Sequence, residues 1–126
     1  MYVIDSNREP VIDTLPGLVH RTLAGRAEGL RQLSVWQQTI APGSATPPHR
    51  HDCEEVVLVA RGRGEMQIAG DMLPFAAGQT LVIPPNVDHQ ILNTGDEAIE
   101  LTAAFSTAGV EVELPDGSPL TLPWRT

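Results

Sequence analysis

The chain has a single cysteine, Cys53, so no internal disulfide can form. That usage fits a reducing compartment. Positive charge is scarce: 8 basic residues stand against 16 acidic ones, for a formal net charge of −8. The arginines are scattered and form no basic stripe. Such a surface repels phosphate backbones and anionic lipid, which excludes nucleic acid and membrane as expected partners. No apolar run approaches the ~18–20 residues of a membrane span. The first residues, MYVIDSNREPVIDTLPG, lack both a basic segment and an apolar segment of the secretory kind. The expectation is a cytoplasmic protein. At 126 residues, 41% of them hydrophobic, the chain suits one domain with one core, residues 1–126.

Glycine and proline, by contrast, are plentiful, 11 of each, and are spread along the whole chain. They punctuate short apolar runs: EEVVLVARG, EMQIAGD, MLPFAAG, TLVIPPN, VDHQILNTGDE and AIELTAAFS. Runs of this length and spacing read as β-strands joined by tight turns, and a train of them as a sandwich or barrel. In the last run Ile99, Leu101, Ala103 and Phe105 alternate with Glu100 and Thr102, giving one buried and one wetter face. RTLAGRAEGLRQL is the one helix-like stretch, but Gly25 and Gly29 inside it favour two strands around a turn.

Chemistry concentrates in PPHRHDCEEV, residues 47–56. His49 and His51 are spaced by two, so on a strand both imidazoles point to one side and can grip one ion. Glu55 can return beside them after a short turn. His89, following PPNVD, can arrive from another hairpin and close the set. An H-x-H pair by itself leaves two readings open, a metal grip or a polar turn.

The larger pattern decides between them. GSATPPHRHDCEEVVLVARG places Gly43, His49, His51, Glu55 and Gly62 at fixed spacings, and GQTLVIPPNVDHQILN places Gly78, Pro84, Asn86, His89 and Asn93. These resemble the two motifs of the cupin superfamily, in its small single-domain type. Only Asn86 departs from the motif, which has glycine there. Asn is the residue that best tolerates the left-handed backbone such a glycine serves. The resemblance implies an all-β, double-stranded β-helix (jelly-roll) barrel with core motifs at 43–62 and 78–93. An N-terminal arm, 1–17, and a C-terminal tail, 109–126, would pack on the barrel or on a partner subunit. It also implies His49, His51, Glu55 and His89 as ligands of one divalent transition metal: Fe, Mn, Ni, Co, Cu or Zn. In an octahedral ion, four such ligands leave two positions for water, dioxygen or substrate. Small cupins pair as homodimers, so a homodimer is expected.

The neighbours are read by alternation. Glu54, Arg50 and Asp52 should face outward. Cys53 is read as an unreactive thiol beside the turn, and a crosslink of it to tyrosine is not expected, because the only tyrosine is Tyr2. His20, outside both motifs, is taken as a surface or interface residue. Trp36, Gln38 and Ile40 share one face; if it points inward, Gln38 can orient a metal-bound water or a substrate oxygen. Ile91 shares the face of His89, and Leu101, Ala103 and Phe105 are expected on the pocket wall. The leading functional expectation is a metal-dependent enzyme acting on a small organic molecule, dioxygenase-like or an isomerase or lyase. The alternative is a non-catalytic small-molecule-binding module with a structural metal.

Overall fold

The computed structural model describes residues 2–126; Met1, the first residue of the expected domain and N-terminal arm, lies outside the described residues. The strands are β1 (Ile12–Leu15), β2 (Leu18–Ala24), β3 (Ser34–Ile40), β4 (Glu55–Arg61), β5 (Arg63–Ile68), β6 (Asp71–Ala76), β7 (Thr80–Ile83), β8 (His89–Leu92) and β9 (Ile99–Phe105). They form a six-stranded sheet in the order β1-β2-β3-β9-β4-β7 and a three-stranded sheet in the order β6-β5-β8. All pairings are antiparallel. This is the all-β jelly-roll barrel of the cupin superfamily. No helix is long and apolar enough to cross a membrane.

Alternation drives the sheets together. Ile99, Leu101, Ala103 and Phe105 of β9 are each at most 2% exposed, while Glu100 between them is exposed. β3 buries Ser34, Trp36, Gln38 and Ile40 in the same rhythm. These faces meet Met66, Phe75 and Ile91 of the smaller sheet in one apolar core. Truncating a side chain as buried as Phe105 costs about 3–5 kcal/mol, because the cavity left behind relaxes only in part.

Turn chemistry sets the connections. β5 and β6 are joined by Ala69 and Gly70, both at positive φ (51° and 82°), the two-residue turn whose twist matches that of the strands. The connection is a single hairpin, as the short gap between the motifs requires. Asn86 has φ 61°, the left-handed backbone anticipated at that motif position, and its N–H donates to the His51 carbonyl at 2.7 Å. The Gly25–Gly29 stretch holds a single-turn 3-10 helix, Arg26–Glu28, between β2 and β3, not an α-helix. Asn93, just past β8, ties the next turn to β3: its Nδ2 donates to the carbonyls of Ile40 and Glu97, and its Oδ1 accepts from Gly95 N–H.

Within this chain the C-terminal tail packs on the barrel, through isolated bridges and not through a regular strand. Glu113 and Arg50 exchange backbone hydrogen bonds, Leu120 N–H donates to the Val112 carbonyl, and the chain then runs back across the barrel mouth. Arg125 pins its end, donating to Glu28 at 2.8 Å and to Glu9 at 2.9 Å. The two carboxylates come from the β2–β3 turn and the N-terminal arm, so both ends of the chain are tied to one side of the barrel.

Candidate metal centre

His49 and His89 are backbone partners. His49 N–H donates to the His89 carbonyl at 3.0 Å, and His89 N–H to the His49 carbonyl at 2.8 Å. The H-x-H segment thus hangs on β8 of the smaller sheet. After His51 the chain bends through Asp52 and Cys53 and enters the larger sheet at Glu55, the first residue of β4. The site therefore spans the gap between the two sheets. Burial alternates as the sequence predicts: His51, Cys53 and Glu55 are buried, Asp52 and Glu54 exposed. Arg50 reaches outward to Asp88 and Glu113, at 3.2 Å each.

Each of the three imidazoles is oriented by a carbonyl. Nδ1 lies 2.6 Å from Pro47 O in His49, 2.8 Å from Glu111 O in His51 and 2.9 Å from Val87 O in His89. A carbonyl only accepts, so each Nδ1 carries the ring hydrogen and each neutral ring is left with a lone pair on Nε2. One nitrogen from each ring lies within 4.8 Å of the others. Glu55 Oε1 is 3.4 Å from Nε2 of both His51 and His89. Those contacts are too loose for hydrogen bonds, and Glu55 Oε1 and His89 Nε2 are buried without a hydrogen-bond partner among the described residues. Convergent lone pairs and an orphaned buried carboxylate oxygen are what a cation would satisfy. Donors held about 2.0–2.2 Å from one ion sit a few ångströms apart, as these do. The three histidines can hold a metal ion.

The electrostatics agree with neutral rings at two positions. Burial, then the neighbouring His89 and His51, push the His49 pKa down to about 3. Burial also lowers that of His51, against the pull of the Glu55 carboxylate. For His89 burial acts downward too, but the Glu55 carboxylate outweighs it and the pKa is raised. Burial, with Asp52 and Glu55 nearby, pushes the Cys53 thiol up to about 11, so it stays protonated and weakly nucleophilic.

The site opens into a pocket lined by Leu18, Trp36, Gln38, Thr46, Ile91, Leu101, Phe105, Leu122 and Trp124, among others. Ile91, Leu101 and Phe105 line it as expected; Ala103 does not. Phe105 packs edge-on against His51, with centroids 5.0 Å apart. Trp36 and Trp124 carry Nε1 groups that are buried and without a partner among the described residues.

His20 is the clearest departure from the sequence reading. It is 1% exposed, not a surface residue. It sits on the inward face of β2 between Leu18 and Thr22, opposite Gln38 of β3, and is stacked on Trp124 with centroids 3.8 Å apart. The signal that could have found it is the alternation Leu18, His20, Thr22. A second alternation, Leu120, Leu122, Trp124, could have placed the tail over the pocket. Nothing in the motifs points to Glu111, whose carbonyl orients His51 from the tail.

Comparison with known proteins bears on what the site does. The sequence profile of the family described as auxin binding protein matches residues 12–118. Auxin-binding protein 1 of Arabidopsis thaliana is 39% identical over 107 residues, covering 77% of this chain and 54% of its own length. The chain thus spans about half of that relative. Polyketide synthase CurC of Streptomyces cyaneus is 34% identical over 104 residues, covering 82% of this chain and 64% of its own. Among solved structures, an RmlC-like cupin from Shewanella frigidimarina superposes with a TM-score of 0.75 at 21% identity, over 86% of this chain and 92% of its own.

Proposed function

The chain belongs to the auxin-binding protein family, within the cupin superfamily, and from that premise we propose that its barrel captures a small organic molecule at one divalent metal ion held by His49, His51, His89 and Glu55. The observation that carries this reading is the convergence of three Nε2 lone pairs and the orphaned Glu55 Oε1 at the floor of an apolar pocket. A metal bound there supplies a Lewis acid and an anchor for an oxygen donor. The protein does the rest. Three carbonyls hold the imidazoles in register. Trp36, Leu101, Phe105, Leu122 and Trp124 exclude water and give a flat apolar body a surface to bury.

Of the two expectations raised by the sequence, binding takes first place, because relatives of this chain carry a binding name. Auxin is therefore the first compound to try. Titration into metal-loaded protein, followed by the fluorescence of Trp36 and Trp124, should saturate, and the response should vanish after chelation. Equal binding to metal-free protein would defeat the reading. The enzyme reading is supported by the similarity to CurC, a protein named as part of a biosynthetic system. Metal-dependent turnover of any bound small molecule would promote it.

A homodimer is proposed as well. β7 is an edge strand of the larger sheet, and its Val82 is 68% exposed opposite Val56 of β4 at 37%, with Leu58 two residues further along β4 at 51%. An exposed apolar edge needs a cover, and a second copy supplies one. Sedimentation as a monomer at micromolar concentration would refute it.

A further inference from the structure

The space enclosed over the three imidazoles is small. Its volume is about 40 Å³, room for an ion and its water. A cavity that takes a benzene ring measures ~150 Å³, and ligand sites run from roughly 300 Å³ upward. An organic molecule therefore enters only if part of the wall moves. Much of the wall is sheet: Trp36 stands on β3 and Leu101 and Phe105 on β9, strands paired on both sides. The tail supplies another part. Leu122 and Trp124 close the pocket from a segment, 121–126, that belongs to no strand. The same two side chains also line two clefts on the outer surface. This stretch of wall is thus one chain thick, with open space behind it.

The segment is fastened at its two ends. Leu120 N–H donates to the Val112 carbonyl at 2.9 Å. Among the described residues, the next backbone group to bond is the Arg125 carbonyl, which accepts from the Thr22 hydroxyl at 2.7 Å. Between these points Trp124 is held by packing on His20 and Trp36, and its indole Nε1 is buried without a partner among the described residues. The Arg125 guanidinium completes the second fastening. Its two terminal nitrogens bond carboxylates from separate parts of the chain, Glu28 at 2.8 Å and Glu9 at 2.9 Å. Glu28 is itself fixed, accepting from Gly25 N–H at 2.9 Å. Charge-assisted bonds of this kind are strong, whereas a segment with few backbone hydrogen bonds opens locally.

We propose that residues 121–126 are a gate with an ionic latch: the pocket is shut as it stands, and it opens when Arg125 leaves Glu9 and Glu28 and Leu122 and Trp124 swing into the clefts behind them. Entry of an organic ligand by this route rests on the reading of the pocket as a small-molecule site; the opening itself does not. Glu111, whose carbonyl orients His51, precedes the gate. The ligand set therefore stays assembled while the gate is open.

Two measurements read the opening without any organic ligand in the pocket. In the first, zinc-loaded protein is mixed with excess 4-(2-pyridylazo)resorcinol, and zinc transfer to this chelator is followed by absorbance. Arg125→Gln, which breaks the latch, should transfer zinc about tenfold faster or more, the worth of a charged hydrogen bond. Arg125→Lys, which keeps the charge but lacks the fork that spans two carboxylates, should fall between. Wild-type transfer should rise only weakly with urea below the unfolding transition, because a local opening exposes little surface. Equal rates in wild type and Arg125→Gln, or a urea slope as steep as that of global unfolding, overturn the proposal. In the second, hydrogen exchange of the two indole Nε1–H groups is followed by nuclear magnetic resonance in metal-free protein. Trp124 should exchange faster than Trp36, and faster still in Arg125→Gln. Equal exchange of the two indoles, or no change in the variant, likewise overturns the gate. Should both readouts hold while no organic compound binds either protein, the small-molecule reading fails and the gate stands.

Discussion

His49, His51 and His89 at the metal centre and His20 beneath the C-terminal tail all occupy inward-facing places in one barrel, yet their rings end in opposite states. In the first group each Nδ1 is bonded to a carbonyl and each Nε2 is left with a lone pair aimed at a common point. In His20 both nitrogens are spoken for, by Gln38 and Thr22. Burial does not separate the two cases: His20 and His89 are 1% and 3% exposed. What separates them is the number of partners each ring finds within the fold. A histidine short of one partner is a candidate ligand, and one with two is a structural element.

Breaking the comparison on the ligand side should have the largest effect. Protein purified without a tag should carry about one divalent metal ion per chain by mass spectrometry. His51→Ala should lower metal affinity by more than the roughly 10–100-fold that loss of an outer partner costs, whereas His20→Phe should leave metal content unchanged. Equal loss in both variants would erase the distinction drawn between the two groups.

The next effect is on stability against pH. The His20 pKa falls from 6.5 in the unfolded chain to about 3 in the fold, first through burial and then through Arg125. The unfolded state thus binds more protons between those values. The stabilisation is complete above pH 6.5 and is lost as pH falls toward about 3. At 1.36 kcal/mol per unit, the shift is worth at most about 5 kcal/mol. His49 contributes in the same direction over the same window. Urea denaturation at pH 7.5 and pH 4.5 should therefore show a smaller loss of stability on acidification in His20→Phe than in wild type. Identical losses would mean that His20 is not held neutral in the fold.

Smaller effects sharpen the contrast. Trp124→Ala removes the ring stacked on His20 and part of the pocket wall, and should destabilise by roughly 2–3 kcal/mol, less than a fully buried aromatic. Metal content should not change, since Trp124 supplies none of the hydrogen bonds that orient the three ligand rings. Arg50→Ala severs two exposed ion pairs beside His51. It should shift the melting temperature by no more than about 3 °C, because exposed pairs are screened and entropically costly. A large shift there would show that the site leans on surface charge more than on backbone carbonyls.

The candidate metal centre, with its three histidines brought together, was legible in the sequence because its information is local. His49 and His51 share a face through the two-residue period of extended chain, Glu55 lies one bend away, and Asn86 takes the left-handed backbone its motif position demands. The strands of the barrel were legible for the same reason, from the alternation in β3 and β9. The His20 cluster was not. Its members are Thr22, Gln38, Trp124 and Arg125, and the last lies 103 residues from the hydroxyl that donates to it. No spacing rule connects them, and a lone histidine in a polar-looking run reads as surface.

Alternation and turn residues in the amino-acid sequence by themselves determined an all-β sandwich or barrel, since periodicity and turn preference act over a few residues, while the jelly-roll class and the candidate metal ligands came from the resemblance of its two motifs to those of the cupin superfamily. Tertiary structure alone decided that the tail lies across the barrel mouth, that Glu111 orients His51, and that His20 is buried with both nitrogens bonded. Those outcomes depend on strand register and on where a distant carbonyl comes to rest, and hydrogen-bond direction, unlike hydrophobic pattern, is fixed only when both partners are in place.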